Sequence, residues 1–244
     1  MNNYGEELMT IKCIATGSKG NCYILKSKFG KELIVECGIK YENILLNIEN
    51  QNNVEGVLIS HNHTDHNAKV GKLRVSDFMR NNLYEVYETT NCEVGKRYCL
   101  GDFSFIPLPA KHNVDCYSYY IEVDGLKILF ATDTQVIPRI NTICDYYMVE
   151  VNYDMDLLDN ELDKMLTDSQ EEIPLHIGSV YQNHSGLQTV EDYFEYNLKG
   201  KKPKGIFTIH ASRSGLLNES VVYERLLKFC DNVIVVEGGM TIEC

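Results

Sequence analysis

The sequence lacks long apolar runs and paired-cysteine motifs. No hydrophobic stretch approaches the roughly 20 residues that a helix needs to cross a bilayer, so no membrane partner is expected. The N-terminus, MNNYGEELMTIK, carries acidic residues and no apolar segment, unlike a signal peptide. The nine cysteines form no CxxC pair, and their odd number argues against a disulfide framework. We therefore expect a cytoplasmic protein with reduced thiols.

Positive charge is also scarce. The chain has 23 Lys and Arg against 35 Asp and Glu, a formal net charge of −12 at pH 7. This balance disfavours loose electrostatic binding to nucleic acid, although bound dications would add local positive charge where a phosphate sits. The dense basic cluster at 199–204 holds Lys199, Lys201, Lys202 and Lys204. A solvated loop is the simpler interpretation of this cluster, and a nucleic-acid contact is the alternative.

Neither a repeat nor a Pro-, Gly- or Ser-rich linker divides the sequence, so a single domain over residues 1–244 is predicted. Apolar or alternating runs predict strands at 11–15, 21–26, 31–36, 56–60, 103–108, 117–123, 127–131, 146–151, 206–210 and 232–237. Helical spacing predicts helices at 41–49, 66–80, 154–166, 187–198 and 218–230. Asp124-Gly125 predicts a hairpin turn. Two β-sheets flanked by helices accommodate this order, an α/β (α+β) fold.

The most informative segment is SHNHTDH at 60–66, which directly follows an apolar strand. In an extended loop His61 and His63 project to the same side, because alternate residues share a face, so both can hold one metal ion. The chain then turns toward the predicted helix, which lets Asp65 and His66 reach a second ion. Imidazole and carboxylate ligands suit zinc, and also manganese or iron. The alternative is a polar loop without metal, which is hard to reconcile with three histidines so close together.

Three further side chains lie at or just after the ends of predicted strands. His112 stands in LPAKHNV, Asp133 in ILFATDT and His210 in IFTIH. Strand ends gathered at one sheet edge bring together ligands that are distant in sequence. Alone, each residue could be a loop histidine, a turn aspartate or a helix cap. Together with HNHTDH they form a donor set large enough for two metal ions.

HNHTDH followed by His112, Asp133 and His210 resembles the HxHxDH…H…D…H pattern of metallo-β-lactamase-fold hydrolases. The resemblance implies a four-layered αββα sandwich with the active site at the edge of the two sheets. It also divides the ligands between two metal ions that share one bridging carboxylate. By this division, His61, His63 and His112 bind one ion, Asp65, His66 and His210 bind the other, and Asp133 is the bridge.

Flanking strings are similar to the YycJ/WalJ branch of these hydrolases and to its phage-encoded relatives. They are TGSKGNCYIL, AKHNVDCYSYYI, LFATDTQVIP, VEVNYDMDLL, the NHSG segment and IHASRSG. Three positions depart from the family pattern, and one of them is His210-Ala211-Ser212, where relatives carry HLS near the end. Glu36 lies where the family usually has Asp behind the ligands, so it is expected to support them. His184-Ser185-Gly186 stands where relatives carry HLS or HMS.

The resemblance implies a dinuclear hydrolase, most simply a phosphodiesterase that acts on nucleic acid. Two divalent ions, expected to be zinc or else manganese or iron, would activate a bridging water and neutralise charge on the phosphoryl oxygens. Asp65 could also orient that water, and His184 is the candidate proton donor to the leaving oxygen. The alternatives are a cyclic-nucleotide phosphodiesterase, a thioester or lactone hydrolase, and a metal-binding scaffold without catalysis. The sequence leaves open whether the chain forms a homodimer.

Overall fold

The computed structural model describes residues 8–70, 73–74, 79–81, 84–167, 175–211 and 215–244. Fifteen strands lie in this part of the chain. They are β1 (Thr10–Ala15), β2 (Cys22–Lys26), β3 (Glu32–Val35), β4 (Val54–Leu58), β5 (Lys69–Val70), β6 (Leu73–Arg74), β7 (Val86–Tyr87), β8 (Tyr98–Leu100), β9 (Phe103–Pro109), β10 (Tyr117–Val123), β11 (Leu126–Ala131), β12 (Tyr146–Glu150), β13 (Gly205–Ile209), β14 (Val233–Val235) and β15 (Thr241–Glu243). The α-helices are α1 (Tyr41–Leu45), α2 (Met155–Thr167), α3 (Leu175–Asn183), α4 (Leu187–Leu198) and α5 (Glu219–Leu226), and a 3-10 turn spans Gln51–Asn53.

Most strands belong to one of two mixed sheets. The six-stranded sheet has the order β15-β1-β2-β3-β4-β7, and the seven-stranded sheet has the order β14-β13-β12-β11-β10-β9-β8. In the first sheet, β1, β2 and β3 pair antiparallel, whereas β3, β4 and β7 pair parallel. In the second, β11 to β14 form a parallel run, and β8 pairs antiparallel with β9. Strands β5 and β6 form a separate two-stranded sheet.

The burial of the strands follows their sequence pattern. Every residue of β12 (YYMVE) and of β13 (GIFTI) is buried. Continuous apolar runs are typical of parallel strands covered on both faces. Strand β9 (FSFIPLP) instead alternates buried and partly buried residues, the pattern of a strand with one covered face. One consequence concerns Glu150, which ends β12 and is a fully buried carboxylate in an otherwise apolar strand.

The chain divides into two compact units. The first comprises residues up to Pro107 together with Ile121–Leu126 and Glu237–Cys244, and it contains the six-stranded sheet and the HNHTDH segment. The second comprises Leu108–Tyr120 and Lys127–Val236, and it contains β12, β13, β14 and helices α2 to α5. The single domain expected from the sequence stays a prediction. No helix in the described part of the chain is long and apolar enough to cross a membrane.

Two predicted helices are wrong in type or length. The helix expected at 66–80 is absent from the described part of that segment, where β5 and β6 pair instead and only residues 79–81 are helical. The reason is a tertiary bond: Ala68 donates its backbone N–H to Cys37, so it takes part in strand-like pairing rather than a helical turn. The helix expected at 41–49 ends at Leu45, and the side chain of Asn47 bonds the carbonyl of Asn43.

Two further differences concern the flanks of the candidate site. The strand expected at 56–60 ends at Leu58, because the N–H of Ser60 is bonded by the Glu36 carboxylate rather than by a neighbouring strand. Helix α3 was not predicted, since Gly178 lies in its interior and its apolar spacing is weak. By contrast, α4 is confirmed over residues 187–198 and β10 over 117–123. The predicted hairpin is also present, with positive φ at Asp124 and Gly125.

Candidate metal centre

The HNHTDH segment of the first unit gathers three imidazoles. The ring centroids of His61 and His63 lie 4.6 Å apart, and those of His61 and His66 lie 4.3 Å apart. The backbone bends at Asn62 and His63 rather than running extended. It then turns as expected, with the N–H groups of His66 and Asn67 both donating to the carbonyl of His63. This turn brings His66 beside the first two histidines, and it holds Asp65 Oδ2 3.4 Å from His66 Nε2.

Backbone bonds from two neighbouring segments hold this turn in place. Asn21 donates its N–H and its side-chain amide to the carbonyl of Asp65, at 2.7 and 3.1 Å. Gly38 lies so close that a Cβ atom would stand 1.6 Å from the same carbonyl oxygen. Cys37 in turn donates its N–H to the carbonyl of His66 at 2.8 Å. The TGSKGN and ECGIK segments therefore support the turn that carries the histidines.

Glu36 and Ser60 stand directly behind the imidazoles. Glu36 Oε2 lies 3.3 Å from Nδ1 of His66, and Ser60 Oγ lies 2.9 Å from Nδ1 of His61. The other Glu36 oxygen accepts the N–H of Ser60 at 3.1 Å. Glu36 holds a positive φ of 65°, which is uncommon for a side chain of this kind. Glu36 thus contacts His66 with one carboxylate oxygen and holds the backbone of Ser60 with the other.

The second unit carries a cluster built around Glu150. Glu150 Oε1 lies 2.6 Å from Nδ1 of His184 and 2.8 Å from Nδ1 of His210. Asp133 lies beside both histidines, with Oδ1 3.5 Å from His184 Nδ1 and Oδ2 3.6 Å from His210 Nε2. The two imidazole rings stack with centroids 5.4 Å apart. Asp133, Glu150, His184 and His210 each offer one possible metal-ligand atom, and these four atoms lie within 4.8 Å of one another, close enough to hold a metal ion.

Backbone strain and hydrogen bonds fix this second cluster. Asp133 and His210 follow the ends of β11 and β13 and have positive φ values of 46° and 54°. Such conformations are uncommon outside glycine and persist where the surroundings enforce them. The remaining Glu150 oxygen accepts the N–H groups of Thr134 and Ser185, each at 3.3 Å. Asn152 donates its side-chain amide to Glu150 Oε1 and to the carbonyl of His210.

Glu150 is a site residue that sequence reasoning missed. It stands in VEVNYDMDLL, where it looks like the polar end of an apolar strand. The available signal was a single carboxylate between Val149 and Val151, in a run too apolar to lie at the surface. A lone buried carboxylate needs partners, which the two histidines supply.

The protonation of His184 depends on this carboxylate. Burial alone would lower the pKa of His184, but the charge and hydrogen bond of Glu150 and the charge of Asp133 outweigh it, so the pKa is raised. For Glu150 the signs are reversed. Burial would raise its pKa, but the charge and the hydrogen bond of His184 outweigh that effect, so the pKa is lowered. The Glu150 carboxylate therefore favours the protonated form of the His184 imidazole. The His184 side chain remains 17% exposed.

His112 is the remaining predicted ligand. It lies after β9, partly buried, with Nδ1 3.1 Å from the carbonyl oxygen of Asn183. Its ring stands 5.7 Å from that of His184. Four predicted ligands thus share one feature: an oxygen atom engages Nδ1 in His61, His66, His112 and His210. Metal-binding histidines show this pattern, because the Nδ1 contact fixes the ring and assigns coordination to Nε2.

Comparison with solved structures identifies the fold. The metallo-β-lactamase fold protein YhfI from Bacillus subtilis has a TM-score of 0.69 at 16% identity, over 97% of this chain and 100% of that one. A diphosphatase of the PhnP family has a TM-score of 0.61 at 13% identity, over 97% and 98%. Human short-form tRNase Z has 0.58 at 13% identity, over 96% and 99%. The chain is a metallo-β-lactamase-fold protein, which confirms the predicted fold class.

Sequence comparison finds relatives that match parts of the chain. Exodeoxyribonuclease WalJ of Streptococcus pneumoniae is 26% identical over 170 residues, which cover 59% of this chain and 63% of that protein. Hydroxyacylglutathione hydrolase of Hahella chejuensis is 36% identical over 93 residues, or 35% of each protein. The chain thus spans about a third of one relative and somewhat under two thirds of the other. No protein-family model matches the sequence.

Proposed function

We propose that the chain is a dinuclear metal-dependent phosphodiesterase that acts on nucleic acid. The observation that carries the proposal is the histidine pattern, in which four imidazoles are each held at Nδ1 by an oxygen atom. A scaffold without catalysis would not require the further His184–Glu150 pair, in which the carboxylate lies 2.6 Å from Nδ1 and raises the pKa of the imidazole. A metal site accompanied by a poised proton donor is typical of a hydrolase.

The donor set fits two divalent ions. In this proposal His61, His63 and His112 would hold one ion, Asp65, His66 and His210 the other, and Asp133 would bridge them. Nitrogen and carboxylate donors suit zinc best, with manganese or iron as alternatives. When bound, such ions lower the pKa of water and neutralise charge on the phosphoryl oxygens.

Two residues would handle protons around the reacting phosphate. Asp65 is only partly buried, and its carboxylate could orient the attacking water and accept its proton. His184 is fixed through Nδ1 by Glu150, so its Nε2 is the atom that would face a leaving oxygen. A carboxylate partner favours the protonated form of a histidine. Such a histidine is suited to donate its proton to an alkoxide, which is a poor leaving group when unprotonated.

The choice of nucleic acid as substrate rests on the relatives. WalJ, which matches the larger share of the chain, is named as an exodeoxyribonuclease, and tRNase Z shares the fold. The match to hydroxyacylglutathione hydrolase has a higher identity but covers 35% of the chain. It makes thioester hydrolysis the second candidate, which a substrate panel separates from the first.

A substrate panel tests the proposal. The protein, reconstituted separately with zinc and with manganese, is assayed on single- and double-stranded DNA, RNA, cyclic nucleotides, bis-p-nitrophenyl phosphate and a hydroxyacylglutathione thioester. We expect hydrolysis of bis-p-nitrophenyl phosphate and of at least one nucleic acid. If cyclic nucleotides were hydrolysed faster than nucleic acids, the proposed substrate would change from nucleic acid to cyclic nucleotides. Hydrolysis of the thioester with no phosphodiester cleaved would overturn the proposal.

A further inference from the structure

A pocket of about 500 Å³ lies in the second unit, between the segment 139–143 and the C-terminal end of α4. It shares no residue with the metal-ligand clusters. Its polar walls come from Arg139, Asn141, Thr142, Tyr196, Asn197 and Lys199. A pocket of this size is large enough for a small-molecule group, and all of its hydrogen-bonding side chains are neutral or cationic.

The pocket is locally positive although the chain is acidic overall. Arg139 and Lys199 line it, no carboxylate does, and neither cation makes an ion pair within the described ranges. The nearby Asp145 is already engaged, by Lys204 at 3.3 Å and by the N–H of Lys127 at 2.9 Å. Lys127 also reaches the wall of the pocket, donating to Thr142 Oγ1 at 3.3 Å. An anion would therefore meet cations that are not neutralised by the pocket itself.

The lysines of the basic cluster at 199–204 differ in their contacts. Lys202 pairs with Asp231 and Lys204 pairs with Asp145, so these two lysines are largely neutralised. Lys199 differs because it occupies the C-cap of α4, with a positive φ of 50°. This left-handed residue ends the helix, and it lines the pocket together with Arg139 from a distant segment. The relevant cations are thus one lysine of the cluster and an arginine outside it.

An aromatic surface completes the pocket. The guanidinium of Arg139 lies over the ring of Tyr196, 4.4 Å from its centroid, and Tyr196 remains 61% exposed. An exposed aromatic ring with a guanidinium on one side offers its open side as a flat platform for a base. Cations for a phosphate, a platform for a base, and the amides of Asn141 and Asn197 are the groups that single-stranded nucleic-acid sites combine.

We propose that this pocket binds one nucleotide unit of a single-stranded nucleic acid, with the base on Tyr196 and the phosphate at Arg139 and Lys199. The proposal rests on the proposed function for the identity of the strand as substrate. It deepens that function by adding a contact outside the metal centre, through which a chain of net charge −12 could retain a polyanion.

Equilibrium binding tests the pocket directly. The probe is a fluorescein-labelled phosphorothioate oligothymidylate, which resists cleavage, and its anisotropy is followed over a range of salt concentrations with the metal-loaded protein. Arg139→Gln and Lys199→Gln should each raise Kd several-fold and reduce the salt slope by about one. Tyr196→Leu should raise Kd about tenfold and leave the slope unchanged, because stacking carries no counterion term. Lys202→Gln, a neighbouring but ion-paired lysine, is the matched control and should change neither quantity.

Three outcomes would overturn the proposal. One is an absence of oligonucleotide binding by the wild type, and another is an equal loss in Lys202→Gln and Lys199→Gln. The third is binding of thymidine monophosphate as tight as that of the strand, which would assign the pocket to a free nucleotide. Hydrolysis of bis-p-nitrophenyl phosphate should stay unchanged in all four variants, because none of the four residues belongs to the metal-ligand clusters. That assay reports the proposed function separately, so a failure of the pocket is distinguishable from a failure of the catalytic assignment.

Discussion

Glu150 places one oxygen, Oε1, against the Nδ1 atoms of both His184 and His210. A fully buried carboxylate is costly unless it is paired and hydrogen-bonded. Here two imidazoles, the Asn152 amide and two backbone N–H groups supply those bonds. Because one oxygen contacts both rings, substitutions at these positions should not have additive effects.

The first prediction concerns His184→Ala, which should leave the metal content and the fold intact. If His184 protonates the leaving oxygen, kcat on a nucleic acid should fall by roughly two to four powers of ten. The loss should be much smaller on bis-p-nitrophenyl phosphate, whose leaving group needs no proton. Steady-state kinetics on both substrates measures the difference. Equal losses on the two would argue against proton donation, and an unchanged kcat on nucleic acid would leave His184 without a catalytic part.

The second prediction concerns Glu150→Gln, which removes the charge that raises the pKa of His184. An acid must be protonated to act, so activity falls as pH rises through its pKa. A raised pKa places that alkaline limb at higher pH. In Glu150→Gln the pKa of His184 should fall, and the alkaline limb of the kcat profile on nucleic acid should move to lower pH. A lower kcat with an unmoved limb would instead indicate a purely structural role for Glu150.

The positions of the candidate ligands at strand ends could be predicted from the sequence, whereas the residues that support them could not. Asp133 and His210 follow apolar runs directly, so the sequence alone indicated where each would lie. Glu150 was not predicted as a site residue, because a polar residue near the end of an apolar strand usually faces solvent. Its burial is a property of the tertiary fold. Likewise, the Asn183 carbonyl behind His112 belongs to a helix that the sequence did not reveal. The assignment of individual ligands to individual ions stays a prediction.

At the scale of elements, the turn that carries the histidines depends on close backbone packing. Gly38→Ala is the third prediction. Its Cβ would collide with the carbonyl of Asp65, a backbone atom that cannot rotate away. We expect a loss of about 1–3 kcal/mol or more in the free energy of unfolding, together with weaker metal binding. Denaturant unfolding and elemental analysis measure the two effects.

Gly178→Ala is the matched control for that substitution. Gly178 lies inside α3, where a Cβ would meet nothing within 4 Å. Replacing an unconstrained helical glycine by alanine should stabilise the protein by about 0.5–1 kcal/mol and leave metal content unchanged. If the Gly38→Ala protein were as stable as wild type and bound as much metal, the proposed supporting role of the close packing at Gly38 would be contradicted.

The elements themselves were predictable where local pattern and tertiary structure agree. Strand β10 and helix α4 match their predicted bounds because their apolar spacing also decides which face is buried. The helix expected at 66–80 failed because the backbone of Asn67 and Ala68 pairs with Cys37 from a distant segment. Such long-range pairing overrides local periodicity and leaves no trace in the segment's own sequence.

At the scale of the whole molecule, acidic charge and metal binding are linked. The chain has a net charge of −12, and its candidate clusters hold the buried carboxylates of Glu36, Asp133 and Glu150. Two dications would offset part of that charge where it is least solvated. Ions that bind the folded chain and not the unfolded one stabilise it by mass action. The melting temperature should therefore report on the metal centre.

The last prediction follows from that linkage. Reconstituted protein should contain close to two divalent ions per chain by elemental analysis. A chelator should lower its Tm by roughly 10 °C for each site emptied, given about 4 kcal/mol of binding stabilisation per ion and a chain of this length. His63→Ala should lose at least one ion, because one of the protein ligands at its site is gone. Asn62→Ala removes an exposed neighbour in the same turn, so it should keep both ions and the wild-type Tm. Two results would exclude the dinuclear centre: no uptake of transition metal, or a Tm that does not change when the chelator is added. In either case the candidate ligands would contribute only to the fold.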